Sequence, residues 1–288
     1  MGQDLDQLAI DGGPKAVPHP LERYKGAAVI GDEEREAVLE VLASRSLFRY
    51  YGPDLLGKVV QFERDFAAYL GLPYVLACTS GTAALRLSLL ACDVGAGDEV
   101  IVPAATFIAT VSAVVAQGAI PIFAESDEHF SLDPAAIEPL ITDRTRAIIP
   151  VHLYGVAADM DPIMAISRQH GLRVIEDTAQ SCGSLYHGRR LGTIGDVGAF
   201  SFQLEKNITS GEGGMIVCDD EHLYKRCFAI HDLGYARDDA GRLDPADERY
   251  QLWGVGSRMS ELAGAMALAQ FNKLDRITAA MRNAKWAI

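Results

Sequence analysis

From Tyr74 onward the chain alternates short, continuously apolar runs with stretches of helical period, and that alternation constrains the fold more than any other feature. YVLACT, EVIVPA, IPIFAE, AIIPVHL and RVIEDT are dense in Val, Ile and Leu; TAALRLSLLA, TFIATVSAVVAQG and the segments around 133–141 and 159–170 lie between them with helical spacing. Strands that are apolar throughout are buried on both faces, and strands joined by helices run parallel. GAFSFQ and GMIVCD add two later strands. The expected fold class is α/β: a three-layer α/β/α arrangement around a mostly parallel mixed sheet. Ligands on such a sheet gather at the carboxyl ends of the strands. The residues just past each apolar run are therefore the functional candidates.

The flanking segments complete the expected organisation. Residues 1–30 read as an extended arm, rich in Gly and Pro at its start. DEEREAVLEVLAS follows Gly31 as a helix with its acids at the favourable end. Lys58–Leu70 is a second helix, with Val59, Phe62, Phe66 and Leu70 on one face and Gly71 as its stop. Residues 31–260 form one large domain. Segment 234–248, charged and glycine-containing, reads as a surface loop, and 257–286 as one long helix interrupted only at Gly264. The chain stops on that helix, at KWAI, so 261–288 is expected to lead toward a small domain that is absent or truncated.

Composition removes several classes of function. With 288 residues and 49% hydrophobic residues, the chain suits a large buried core. A formal net charge of -13 repels phosphate backbones, which argues against nucleic acid. The longest apolar stretch, 106–123, is broken by Gln117 and Gly118 and is too mixed to span a bilayer; the N-terminus has acids where a secretory signal needs positive charge. Five scattered cysteines without a CxxC pair point away from disulfides and zinc, toward a reducing cytoplasm and a core role for most of them.

Four features fall at strand ends. Thr79-Ser80-Gly81-Thr82 joins a strand to a helix: glycine admits close backbone approach and the helix start offers free amides, which suits a phosphate or plain capping. Phe107 follows EVIVP, either as a platform for a flat ring or as core. Asp177 in EDTAQ closes RVI; it would keep a pyridine nitrogen protonated, or cap the next element. Lys206 in SFQLEKN leaves the sheet just past GAFSFQ. Taken singly it reads as a surface lysine, but with its pKa lowered it condenses with an aldehyde.

Taken together, TSGTAAL, DEVIVPAATFIAT, IPVHLYG, IEDTAQSCGSLYHGRRLGTIGDVGAFSFQLEKNITSGEGG and RMSELAGAMALAQ resemble the pyridoxal-phosphate-dependent sugar aminotransferases of the DegT/StrS type, in the fold-type I superfamily. The resemblance spans nearly the whole chain and is most specific from Ile175 to Gly214. It implies that Gly81, Thr82 and Ser201 bind the cofactor phosphate, Phe107 stacks on the ring, Asp177 pairs with the ring nitrogen, and Gln180 contacts the ring hydroxyl. Lys206 carries the cofactor as an imine and shuttles protons, so Lys206 and Asp177 are the expected catalytic residues. The implied reaction moves an amino group from glutamate or glutamine to a keto sugar, in a homodimer with shared sites crossed by loops 52–57 and 253–257. Related sugar dehydratases carry His where this chain has Lys206, which favours transamination.

Two departures stand out. Family members have Asn in a GxNxRM segment reaching the neighbouring subunit's cofactor, whereas this chain has Gly256 there, leaving Ser257 or Arg258 for that contact. The family also continues for roughly another hundred residues, the size of a small domain. A competing expectation is therefore a truncated, inactive homodimer that binds cofactor as a scaffold. Substrate contacts are expected from His152, Tyr154, Arg49 and Tyr50, and FRYY, GYARDD and GSRMSE faintly resemble enzymes that aminate octulosonate-type sugar acids. No metal site is expected.

Overall fold

The computed structural model describes residues 7–15, 24–237, 242–244 and 247–286. Residues 1–6 and 16–23 of the N-terminal arm, and 238–241 and 245–246 of the surface loop, lie outside the described residues. Seven strands form the central sheet: β1 (Tyr74–Cys78), β2 (Glu99–Pro103), β3 (Ile120–Ala124), β4 (Thr145–Ile148), β5 (Arg173–Asp177), β6 (Val197–Ser201) and β7 (Gly214–Cys218). Their spatial order is β1-β7-β6-β5-β4-β2-β3. Only β7 runs antiparallel to its neighbours. All six parallel strands thus end on one edge, and Gly214, the first residue of β7, lies at that same edge opposite Ser201 and Cys78.

Successive residues of a strand face opposite sides of a sheet, and both sides here are covered. Leu76, Val100, Ile175 and Ile216 pack against helices α3 (Gly81–Ala91), α4 (Ile108–Val115) and α6 (Glu221–His231). Val75, Phe200 and Met215 pack against α2 (Lys58–Leu70), α7 (Glu261–Phe271) and α8 (Leu274–Trp286). On the same side Ile148 and Val174 meet α5 (Met160–His170). The first helix, α1 (Asp32–Ser44), lies against α7. This is the expected three-layer α/β/α arrangement, and Gly71 ends α2 in the left-handed conformation (φ 71°) that glycine tolerates. No helix among the described residues is long and apolar enough to cross a membrane.

Three local expectations are corrected. Segment 133–141 is not a helix but two 3₁₀ turns, Pro134–Ala136 and Glu138–Leu140. Pro139 lacks the amide an α-helix needs there, and its ring obstructs the preceding turn. The strand expected through AIIPVHL ends at Ile148, beyond which Val151 makes a single bridge to Asp177. The long helix over 257–286 begins only at Glu261, where the Ser260 side chain caps the amide of Ala263, and breaks at Asn272-Lys273. Residues 257–259 are instead drawn to the sheet: Thr79 donates to the Ser257 carbonyl at 2.9 Å. At the break the Lys273 ammonium donates to the Val29 carbonyl and the Glu34 carboxylate.

Candidate active site at the carboxyl edge of the sheet

The turn after β1 sits directly over the end of β6. A Cβ built on Gly81 would lie 2.7 Å from the Ser201 Cβ, so only glycine allows the start of α3 to approach this closely. Gly214 is confined the same way, 2.2 Å from the Ser80 carbonyl oxygen. Ser80 caps α3 by accepting from the amide of Ala83 at 3.1 Å. Gly81 and Thr82, the first two residues of α3, open the helix beside Ser201. A helix start with its positive dipole end, flanked by two hydroxyls, is chemically suited to an anion.

Asp177 ends β5 and is buried. Its carboxylate accepts from the Thr110 hydroxyl at 2.8 Å and from the Ala179 amide at 3.1 Å, and Thr110 is paired with Thr106 at 2.8 Å. Burial pushes the carboxyl above the usual carboxylate range, while those hydrogen bonds and the charge of Lys206 pull it part of the way back. Lys206 is half-buried on the loop after β6, with its ammonium 5.9 Å from the centroid of the Phe107 ring. Burial lowers its pKa below the ordinary lysine value and the Asp177 charge opposes that shift. A lowered pKa leaves more of the amine unprotonated near neutrality, which is the form that attacks a carbonyl. Phe107 is 59% exposed at the head of α4, so its ring is open to a ligand rather than lost in the core.

Gln180 follows one short turn after Asp177, and its side-chain oxygen accepts from the amide of Tyr154 at 3.1 Å. Gly81, Thr82, Phe107, Asp177, Gln180, Ser201 and Lys206 thus all lie at one edge, contributed by the ends of β1, β2, β5 and β6. Sequence reasoning missed Thr110. Its signal was its place one helical turn after Phe107, on the face of α4 that turns inward.

The four substrate candidates fare differently. His152 is fully buried: its Nε2 meets the Glu176 carboxylate at 3.0 Å and its Nδ1 accepts from the Ala158 amide at 3.1 Å. Glu176 in turn accepts from the amides of Gly192, Ile194 and Gly195, so His152 and Glu176 anchor the 192–195 loop. Arg49 is also a structural residue. It makes a two-pronged pair with Glu63 at 2.8 Å and donates to the Ala77 carbonyl at 3.2 Å. Tyr50 is partly buried, its hydroxyl 3.2 Å from Nε2 of His231 and its ring under the Arg237 guanidinium. Tyr154 alone is open to solvent, at 84% exposure, in a left-handed conformation (φ 52°). Replacing Arg49 by Ala is expected to strand the Glu63 carboxylate in the core and to destabilise the fold by about 3–5 kcal/mol. Denaturant titration measures that cost; a normal midpoint with weakened substrate binding would reverse the assignment.

At Gly256, where Asn was expected, an added Cβ would meet the Arg258 guanidinium at 3.0 Å. Arg258 pairs with the buried Asp232 at 2.8 Å and lies over the Phe48 ring. Ser257 is buried beside the Thr79 amide. A cavity of about 570 Å³ borders the edge at Cys78 and Thr79, lined also by Ser210, Glu212, Arg258 and Met259, but its lining includes neither Asp177 nor Lys206. The polar groups, and not cavity size, therefore mark the site.

Comparison with known proteins identifies the family. The sequence profile of the DegT/DnrJ/EryC1/StrS aminotransferase family matches residues 28–288. GDP-perosamine synthase of Caulobacter vibrioides is 44% identical over 225 residues, 77% of this chain and 58% of that protein. The crystal structure of NtdA from Bacillus subtilis, with bound cofactor PMP, superposes with a TM-score of 0.76 at 34% identity, covering 88% of this chain and 56% of that one. DesI in the presence of its TDP-sugar product gives a TM-score of 0.79 at 33% identity, covering 94% and 66%. The chain therefore spans between 56% and 66% of the lengths of these relatives. A matched profile over nearly all of the chain makes this chain a member of the DegT/DnrJ/EryC1/StrS aminotransferase family.

Proposed function

We propose that this chain is the cofactor-binding portion of a pyridoxal-phosphate-dependent aminotransferase that moves an amino group from glutamate or glutamine to a keto sugar. The observation that carries the reading is the placement of the Lys206 amine over Phe107 at the strand edge that also presents Asp177 and the Gly81 turn. Bound there, pyridoxal phosphate supplies an aldehyde and a ring that draws electrons from the bond being broken. Gly81, Thr82 and Ser201 would hold its phosphate, Phe107 its ring face, Asp177 its ring nitrogen and Gln180 its ring hydroxyl. A protonated ring nitrogen would add an opposite charge beside the buried Asp177, in addition to that of Lys206. Lys206 would hold the cofactor and, once displaced by the donor's amine, its freed amine would take the proton from the donor's α carbon and pass it on, a transfer made efficient by tethering.

Relatives named for perosamine and aminoinosose synthesis support a sugar acceptor. We further infer a homodimer. Trp253 is 100% exposed and Tyr51, beside the 52–57 loop, is 70% exposed, an apolar load that a second copy would cover. Four of the five free cysteines are buried, in keeping with a cytoplasmic protein. Titrating the cofactor-loaded protein with glutamate and, separately, glutamine tests the enzyme reading. One donor is expected to bleach the visible band of the lysine-linked cofactor and leave the amine form. A band that neither donor changes would favour the inactive scaffold instead.

A further inference from the structure

Lys206 sits outside the regular strand, so the position of its amine depends on what holds the loop. A lysine side chain has several rotatable bonds, and its reach is only as well defined as the backbone beneath it. The loop is fastened on both sides. The Lys206 amide donates to the Gln203 carbonyl at 2.9 Å, and the Lys206 carbonyl accepts from the Gly26 amide at 3.3 Å. The Asn207 side chain donates to the Cys182 carbonyl at 2.9 Å. Thr209 donates from its amide to the Gln270 side-chain oxygen at 3.4 Å, and from its hydroxyl to the Phe202 carbonyl at 3.1 Å.

Gln270 is fully buried on α7, and its amide nitrogen donates to Glu34 on α1 at 2.7 Å. Glu34 is buried as well. It also accepts from the Gly31 amide at 2.7 Å and from the Lys273 ammonium at 2.7 Å. Desolvation works against this carboxylate, but Lys273, Gly31 and Gln270 together hold its pKa below the ordinary value, so it is charged. Gly26 closes the circle. A Cβ there would lie 2.8 Å from the Gln270 side-chain oxygen, 3.0 Å from Ile208 Cα and 3.1 Å from the Asn207 carbonyl. The start of the chain, α7 and the lysine loop therefore meet at one satisfied, water-excluded junction. A buried polar network specifies a single arrangement when every member is paired.

We propose that Glu34 and Gln270 are a positioning pair for Lys206, clamping the 206–209 loop between the N-terminal segment and α7 so that the amine keeps its place over Phe107. This rests on the reading that Lys206 carries the cofactor. The pair is exchangeable in principle. With Gln at 34 and Glu at 270, the new carboxylate accepts from both the Thr209 amide and the new amide, whose oxygen still serves Gly31, while Lys273, 2.7 Å from both Glu34 oxygens, keeps one of its two contacts there. Either change alone breaks the chain: Gln270→Glu sets two carboxylates together, and Glu34→Gln sets amide against amide unless Gln270 turns its oxygen away from Thr209.

Those two single variants change net charge in opposite directions, which separates geometry from field. The charges facing Lys206 are Asp177, Glu205 and Lys25, and none is altered. The experiment mixes cofactor-free protein with pyridoxal phosphate, follows growth of the visible band, and then titrates that band with pH. Both single variants are expected to capture cofactor roughly tenfold more slowly than wild type, with melting temperatures read in parallel, because small displacements of a reacting group are costly. The E34Q/Q270E double variant is expected to return to within about twofold of wild type. Gly26→Ala, which intrudes on the same junction, is expected to slow capture in the same way and serves if a single variant does not fold. Wild-type capture rates in the singles, or band midpoints displaced in opposite directions without slowed capture, would overturn the proposal. A wild-type protein that forms no band at all would instead overturn the role of Lys206.

Discussion

Replacing Lys206 by Ala is expected to remove the visible band of the lysine-linked cofactor and to lower turnover by roughly 10²- to 10⁴-fold, the usual contribution of a positioned acid–base group. Ala is chosen because it leaves the loop's backbone contacts to Gln203 and Gly26 in place. Retention of cofactor through the Gly81 turn and Asp177 would show that binding and proton transfer are separable. Added methylamine is expected to restore part of the rate, and only at high concentration, since a free amine lacks the advantage of the tether. Absorbance and steady-state assays of the loaded protein check both outcomes. A Lys206→Ala protein that turns over normally would remove the residue from the reaction.

Changing Asp177 to Asn is expected to produce the second largest effect. The side chain keeps its shape and its contact with Thr110, but loses the charge that stabilises a protonated ring nitrogen. An opposite charge at such range moves a pKa by about 1–3 units, so the protonated fraction falls by up to about 10- to 10³-fold, and kcat with it. The sign follows from the direction of the loss: without the carboxylate the ring nitrogen's pKa falls, and activity retreats toward lower pH. Sugar KM is expected to stay near the wild-type value because Asp177 faces the ring and not the acceptor. A variant with unchanged kcat and raised KM would contradict this role.

How much of this was legible beforehand depended on the distance over which each residue's role is decided. The sheet and most helices followed from local pattern, because continuous Val and Ile runs admit few alternatives and Gly71 stops α2 by its own backbone freedom. Asp177, Lys206 and the Gly81 turn were legible only in combination. Each alone reads as a cap or a surface residue, and what joins them is that parallel strands end on one edge. The differences share a cause. Arg49 and His152 looked available for substrate because Glu63 and Glu176, which occupy them, are identified only once the fold brings them together. The break between α7 and α8 left no local mark, since neither Asn272 nor Lys273 is a helix breaker of the Gly or Pro kind. Pro139, by contrast, was a local signal against a helix over 133–141 that the helical spacing outweighed.

Reduction with borohydride decides whether Lys206 holds the cofactor. Borohydride converts the lysine–cofactor linkage into a stable bond that survives digestion and mass spectrometry. The account predicts a single phosphopyridoxyl-bearing peptide, with the mass addition on Lys206 and none in the Lys206→Ala protein. Labelling on a different lysine, or labelling that persists undiminished in that variant, would contradict it.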